Sequence, residues 1–285
     1  IIGYWGCSPG GHTSSIGQLQ TALGKGYNVI IYAFYDVDAN GGLYQDPGAV
    51  ATPSKSQVGS QSFTYLVSLF GGQNGAAPSL TTSADAWAQN MYNNFVKLHQ
   101  QFGFDGIDID LENAWGGTGD QVVCGLRTFF KLLHSNGFIV SMAPQTTALT
   151  PEVPSYATGS WNSYAALIDT GIIDNVDILA VQLYNNAVPY NNAAQYATAL
   201  INGFQVNGCP SCPGTTGLVK VPPCKIAFGW PSGNGAAPSG CPGLSGGCPY
   251  GGALSSLYNG NSVLKGTAGV MTWSVEWDEV SNYQF

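Results

Sequence analysis

Eight short runs rich in β-branched and aromatic residues recur along this chain, and segments with helical periodicity separate most of them. The runs are Ile1–Trp5, Asn28–Phe34, Phe63–Leu69, Phe104–Leu111, Phe138–Ala143, Val176–Leu183, Lys225–Trp230 and Gly269–Trp273. Apolar stripes at helical spacing lie between them: Ile16, Leu19 and Leu23; Trp87, Met91, Phe95 and Leu98; Leu126, Phe129, Phe130 and Leu133; Tyr164, Leu167 and Ile168. Ser83 suits an N-cap, and Gly103 and Gly137 suit helix stops. The second connection is the weakest, with a glycine-rich loop over Asn40–Gly48 and one turn near Gln57. Strands alternating with helices predict an α/β fold, a parallel (β/α)8 TIM barrel of the usual ~250-residue scale. A doubly wound open sheet shares this alternation, because periodicity does not show closure. No glycine-rich phosphate fingerprint follows any strand to favour it. Without an internal repeat or linker, residues 1–285 read as one domain.

Charge excludes several functions. Only 8% of residues are charged, where about 25% is ordinary, and 8 Lys+Arg against 16 Asp+Glu leave a net charge of −8. Nucleic-acid binding and polybasic membrane attachment both need clustered cations, so neither partner is expected. No apolar run approaches the roughly 20 residues of a membrane span. Beginning at Ile1 without a leader, the chain reads as a mature or trimmed product. In place of charge stand 39 Gly, 16 Pro, 15 Tyr and 7 Trp among many amide and hydroxyl side chains. Such a surface suits uncharged polar ligands.

Five of the seven cysteines fall in a Cys/Pro/Gly-rich loop region around 207–250: Cys209, Cys212, Cys224, Cys241 and Cys248. Loop-rich stretches gain most from disulfides, so structural bridges, an oxidising compartment and an extracellular location are expected. Cys209-Pro-Ser-Cys212 has redox-motif spacing, but Pro210, Pro213 and Gly214 argue for loop rather than strand and helix. Zinc would need two further ligands at matching spacing, which Cys224 and Cys241 do not supply. An odd count leaves at least one thiol unpaired, and Cys124, in a helical segment, is the expected one.

The strongest chemical signal is Asp105-Gly-Ile-Asp108-Ile-Asp110-Leu-Glu112. In a strand alternate residues face opposite sides. Ile107, Ile109 and Leu111 would then meet the helices, while Asp108, Asp110 and Glu112 line the barrel interior. Carboxylates stacked this closely cannot all ionise cheaply, so at least one should hold a proton near neutral pH. Glu112 stands last, at the end where barrel active sites open, as a general acid requires. A divalent-metal site could also use three carboxylates. Such barrels usually recruit ligands from several strands, often with histidine, and this chain has only His12, His99 and His134. No metal or cofactor is expected.

Other strand ends carry residues suited to a neutral sugar: Tyr4-Trp5-Gly6, Gly71-Gly72, Met142-Ala143-Pro144-Gln145, Gln182-Leu183-Tyr184-Asn185 and Met271-Thr272-Trp273-Ser274. Aromatic faces stack on pyranose rings, while amides and hydroxyls satisfy the ring substituents. By alternation Gln182 and Tyr184 share one face.

At this point the chain resembles glycoside hydrolase family 18, the chitinases. Asp105–Glu112 matches the family motif D-G-x-D-x-D-x-E in full. Ile1–Gly6, Ala143–Gln145, Val181–Asn186 and the Trp273 strand resemble the hevamine-type, plant class III branch and its microbial relatives. The Cys-rich segment departs from that pattern. The resemblance implies hydrolysis of β-1,4-linked N-acetylglucosamine polymers, with Glu112 protonating the glycosidic oxygen. The substrate's own acetamido oxygen would then attack the anomeric carbon, giving an oxazolinium ion and retained configuration. Family 18 is a recognised exception to the two-carboxylate scheme. Asp110 would orient the acetamido group, with Asp108 behind it sharing a proton. Tyr184 would bond the acetamido oxygen, Gln182 and Asn185 would fix the sugar, and Trp273 would form its floor. Tyr4, Met142 and Gln145 are further expected substrate contacts, and Trp115 and Trp230 further stacking candidates.

Many processive members of the family carry an extra α+β domain between strand 7 and its helix. Only about 40 residues separate Trp230 from Val270 here, leaving no room for a large one, so a shallow groove, endo cleavage and a monomer are expected. The rival readings are an endo-β-N-acetylglucosaminidase acting on N-glycans, a chitin-binding lectin on the same barrel, and a metal-dependent barrel hydrolase.

Overall fold

The computed structural model describes all residues except 72–77, 112–118, 150–163, 165–166, 169–171, 187–190, 207–211, 213–216 and 234. Eight parallel strands appear where the sequence predicts them: β1 (Ile2–Trp5), β2 (Val29–Val37), β3 (Thr64–Phe70), β4 (Gly106–Asp110), β5 (Ile139–Met142), β6 (Ile178–Gln182), β7 (Ile226–Pro231) and β8 (Gly269–Trp273). Each pairs with the next, and β1 pairs with both β2 and β8, so the sheet closes. This is a (β/α)8 barrel, and the open-sheet alternative falls away.

Two apolar layers follow from strand alternation. An outer layer joins the helix-facing residues, such as Ile30, Val67, Ile107, Ile109, Val181 and Phe228, to the surrounding helices. A smaller inner cluster holds Ile2, Tyr4, Ile31, Ala33, Leu66, Ala143, Ala180, Ala227 and Met271. Its alanines leave space that larger branched residues would fill. Gly229 extends that economy, because a Cβ there would stand 2.6 Å from Met271 and 3.2 Å from the Tyr184 ring.

The helix Ala84–Phe102 buries Trp87, Ala88, Met91 and Phe95; Ser83 Oγ accepts from the Ala86 amide at 3.2 Å, and Gly103 ends it at φ 78°. Its neighbour Gly119–Ser135 buries Val122, Val123, Leu126, Phe129, Phe130 and Leu133. Gly125 lets the pair approach, since a Cβ there would meet the Trp87 ring at 2.5 Å. Truncating Trp87 to Ala would cost about 3–5 kcal/mol. The stripe residues Tyr164, Leu167 and Ile168 are all buried, with 165–166 between them outside the described residues.

Three expectations need correction. The Asn40–Gly48 segment contains a strand, Leu43–Gln45, that pairs antiparallel with the end of β2. Asp38 builds the turn, its Oδ1 accepting from the amides of Asn40 and Gly42, each at 2.8 Å. Part of the 207–250 region pairs with what precedes it, Phe204–Val206 running antiparallel to Gly217–Val219. Cys124 is not a free thiol: it is bonded to Cys212 across 88 residues. Closing so long a loop contributes roughly 4–5 kcal/mol in a chain-entropy estimate. Cys241 and Cys248 form a second bridge, and Cys7 and Cys224 are free thiols; Cys209 lies outside the described residues. Between β7 and β8 the described residues form loop and two short helices, Gly252–Asn259 and Ser262–Lys265, with no inserted α+β domain.

Candidate active site

Strand β4 carries the site because its two faces differ. Ile107 and Ile109 enter the outer layer, and Asp108 and Asp110 point inward, 0% and 4% exposed. The register sets Ser68 of β3 and Ser141 of β5 beside Asp108. Tyr4 donates its hydroxyl to Asp108 Oδ2 at 2.6 Å, and Ser68 donates to the same oxygen at 2.8 Å. Burial pushes the Asp108 carboxyl above its usual range, while hydroxyls of Tyr4, Ser141 and Ser68 pull it part of the way back. Burial, followed by the charges of Asp108 and Asp110, holds the Tyr4 phenol well above its own usual range. Tyr4 therefore stays a donor at any physiological pH.

Asp110 reaches the surface of a cavity of about 460 Å³ at the C-terminal mouth of the barrel. Gln182 Nε2 donates to Asp110 Oδ1 and to the Ala143 carbonyl, both at 3.0 Å. Gln182 is buried, so the structure gives its amide to Asp110; a direct sugar contact was the sequence expectation. Tyr184 and Asn185 line the same cavity from the end of β6, and Trp273 from the end of β8. Gln145 is half-buried at the mouth and bridges Gln182 through the backbone.

Two expected contacts do not reach the cavity. Met142 is paired with Ile109 and faces the helices, fully buried in the outer layer. Trp230 shares the parity of Ile226 and Phe228 and is 1% exposed in that same layer. Strand alternation puts Ala143 and Gly229 inside instead. Glu112 and Trp115 lie outside the described residues.

Several lining residues were missed. Phe34 stacks on Trp273 with ring centroids 5.9 Å apart and planes 18° from parallel, and Tyr4 tilts against Trp273, also at 5.9 Å. The register between β2 and β3 shifts between Tyr32 and Tyr35, so simple alternation misassigns Phe34. Asp46 and Gly48 come from the hairpin after β2, Phe70 and Gly71 from the end of β3, and Gly235, Ala236 and Pro238 from the loop after β7. Trp277, on the helix Val275–Val280, is wedged between Gly10 and Gly235; a Cβ on either glycine would come within 2.7 Å of its ring. Cys7 also lines the cavity, and burial, then Glu276, pushes its thiol far above the usual range. Such a thiol stays protonated and unreactive. Among the described residues no group of three His, Cys, Asp or Glu is placed to hold a metal.

The cavity is thus walled by aromatic rings, glycine backbone and amides around an inward carboxylate pair. A family model described as "Glycosyl hydrolases family 18" matches residues 1–225, nearly four-fifths of the chain. The chain belongs to glycoside hydrolase family 18. Endochitinase 37 of Trichoderma harzianum is 29% identical over 288 aligned positions, covering 92% of this chain and 78% of that protein. Chitinase D of Niallia circulans is 28% identical, covering all of this chain and 60% of its relative. Among solved structures, the family 18 chitinase from Chromobacterium violaceum superposes with a TM-score of 0.71 at 27% identity, over 100% of this chain and 80% of the other. The family 18 assignment gives Asp105–Glu112 its meaning as the signature strand, and the barrel explains why the motif alternates. Isoleucines hold it to the helices, so that Asp110 can face the cavity with Asp108 buried beneath it.

Proposed function

We propose that this chain is a secreted, endo-acting chitinase that hydrolyses β-1,4-linked N-acetylglucosamine polymers with retention of configuration. The observation that carries this reading is Asp110, held at the cavity surface by Gln182, with Asp108 and Tyr4 hydrogen-bonded behind it. Trp273 and Phe34 supply a stacked aromatic floor, and Tyr184 a phenol on the wall. A neutral sugar with an acetamido arm suits such a cavity better than an ionic ligand.

Glu112 delivers its proton to the glycosidic oxygen as the bond from that oxygen to the anomeric carbon breaks. The acetamido oxygen bonds to the same carbon from the opposite face, forming the oxazolinium. Asp110 aligns the acetamido group and offsets the positive charge growing on it, which a fixed buried carboxylate does without reorganisation. Tyr184 bonds the acetamido oxygen. Water, deprotonated by Glu112, then opens the ring at the anomeric carbon and restores the β configuration. That the described residues between β7 and β8 form only loop and two short helices supports endo cleavage, and the Cys124–Cys212 and Cys241–Cys248 bridges support an extracellular site of action.

The test is hydrolysis of N-acetylglucosamine tetramers to hexamers and of colloidal chitin by the wild type and Glu112→Gln. Mid-chain products and a loss of at least ~10²-fold in the variant are expected. Disaccharides released only from chain ends would refute endo action. Binding without cleavage would make the protein a lectin, and neither binding nor cleavage would redirect attention to N-glycan cores.

A further inference from the structure

We propose that Asn185 is a positioning residue, which clamps the loop after β7 against the end of β6 and so sets the affinity of the cavity for its sugar chain. This rests on the chitinase reading above and adds to it a residue that acts through the wall.

The wall is built from Ala236 and Pro238, which line the cavity, and is seated by Ala237 and Cys241, both buried in the outer core. Nothing in its own sequence gives it regular structure, so its placement depends on ties to its neighbour. Asn185 makes two of them. Its backbone amide donates to the Gly240 carbonyl at 2.8 Å, and its side-chain Oδ1 accepts from the Ser239 amide at 3.1 Å. The residue sits in the left-handed region at φ 57°, which Asn tolerates far better than most residues. That conformation carries the chain directly from Tyr184 to the wall. A third tie, Ser245 N–H to the Asn191 carbonyl at 2.9 Å, holds the far side of the loop.

The following residue does different work. Asn186 donates to the carbonyls of Tyr184 at 2.6 Å and Gln182 at 3.2 Å, and accepts from the Thr146 amide at 3.0 Å. Asn186 therefore fixes the strand end that bears Gln182 and Tyr184, and Asn185 fixes the wall to that strand end. A sugar-binding role for Asn185 would use its amide N–H donors. The clamp uses its oxygen, and the two roles can be separated by substitution.

The experiment compares wild type, Asn185→Asp and Asn185→Gly by amide hydrogen exchange across residues 235–241 and by steady-state hydrolysis of the N-acetylglucosamine hexamer. Aspartate keeps the acceptor oxygen and the left-handed preference. Glycine keeps the backbone conformation and loses the acceptor. Losing one such hydrogen bond should speed exchange at Ser239 roughly 2–12-fold in the glycine variant. KM should rise by about the same factor while kcat stays within about twofold, and aspartate should rescue both exchange and KM. The proposal is overturned if aspartate raises KM as much as glycine does while the wall keeps its wild-type exchange, since the amide donors would then be touching sugar. It is equally overturned if glycine leaves exchange at Ser239 unchanged, or lowers kcat with KM unaltered. The exchange measurement needs no substrate. A wild type inactive on the hexamer would therefore count against the chitinase reading while leaving the clamp to be judged on exchange alone.

Discussion

The two ends of one strand put the same residue type to opposite uses. At the foot of β4, Asp105 is about one-third exposed, pairs with Lys55 at 2.5 Å and accepts from the Tyr65 amide at 2.7 Å. Inside the barrel, Asp108 is fully buried and bonded by hydroxyls, and Asp110 is held by an amide at the cavity. A neighbouring cation and partial exposure make the first carboxylate half of an ordinary surface ion pair. Burial makes Asp108 expensive to ionise, and the amide of Gln182 fixes Asp110 where chemistry can use it. Motif membership alone does not make an aspartate chemical; its surroundings do.

The sharpest way to break this comparison is Asp110→Asn. Losing a preorganised charge at the site of developing positive charge should lower kcat by roughly 10²–10³-fold, with KM little changed, in steady-state kinetics on the hexamer. A loss confined to KM would make Asp110 a mere binding group. Asp108→Asn should have a smaller effect, about tenfold in kcat, because Asp108 acts through Asp110 and Tyr4.

Asp108 also provides a stability prediction with a definite sign. Its carboxyl titrates above its unfolded value in the folded state, because burial disfavours the anion. The protonated form therefore contributes stability fully below that unfolded value, and the contribution is lost as pH rises through the raised folded value. Asparagine mimics the protonated acid. Denaturant unfolding across the acid range should therefore show Asp108→Asn gaining on wild type as pH increases; the opposite slope would mean that the buried carboxylate is favoured as an anion. At the strand's other end, Asp105→Asn should be the mildest change. Kinetics should stay within about twofold, and a partly exposed pair is worth only about 0–1 kcal/mol. A thermal scan should show a fall of no more than ~4 °C.

Much of this was legible in the sequence for the same reason that the comparison holds. Alternation of isoleucine with aspartate reveals both faces of β4, and the eight β-rich runs reveal the barrel. Met142 and Trp230 stand near strand ends, but their parity places both against the helices. Phe34 was hidden by a real irregularity, the register shift between Tyr32 and Tyr35, which no alternation rule anticipates. The Cys124–Cys212 bridge spans 88 residues, and spacing does not encode partners that only the fold brings together. The turn at Asp38–Gly42 was readable, since Asp and Asn-Gly-Gly are the residues such a turn uses. Trp277 carried no motif, and its place in the cavity emerges only from the loops folded around it.

Retention without a protein nucleophile is the central claim, and the configuration of the first product tests it most directly. Proton NMR of N-acetylglucosamine hexamer cleavage, read before mutarotation, should show β-anomeric reducing ends from the wild type. α-Anomers at the earliest times would mean that water attacks in a single step from the opposite face. The acetamido group would then not be the nucleophile, and Asp110 would need another role.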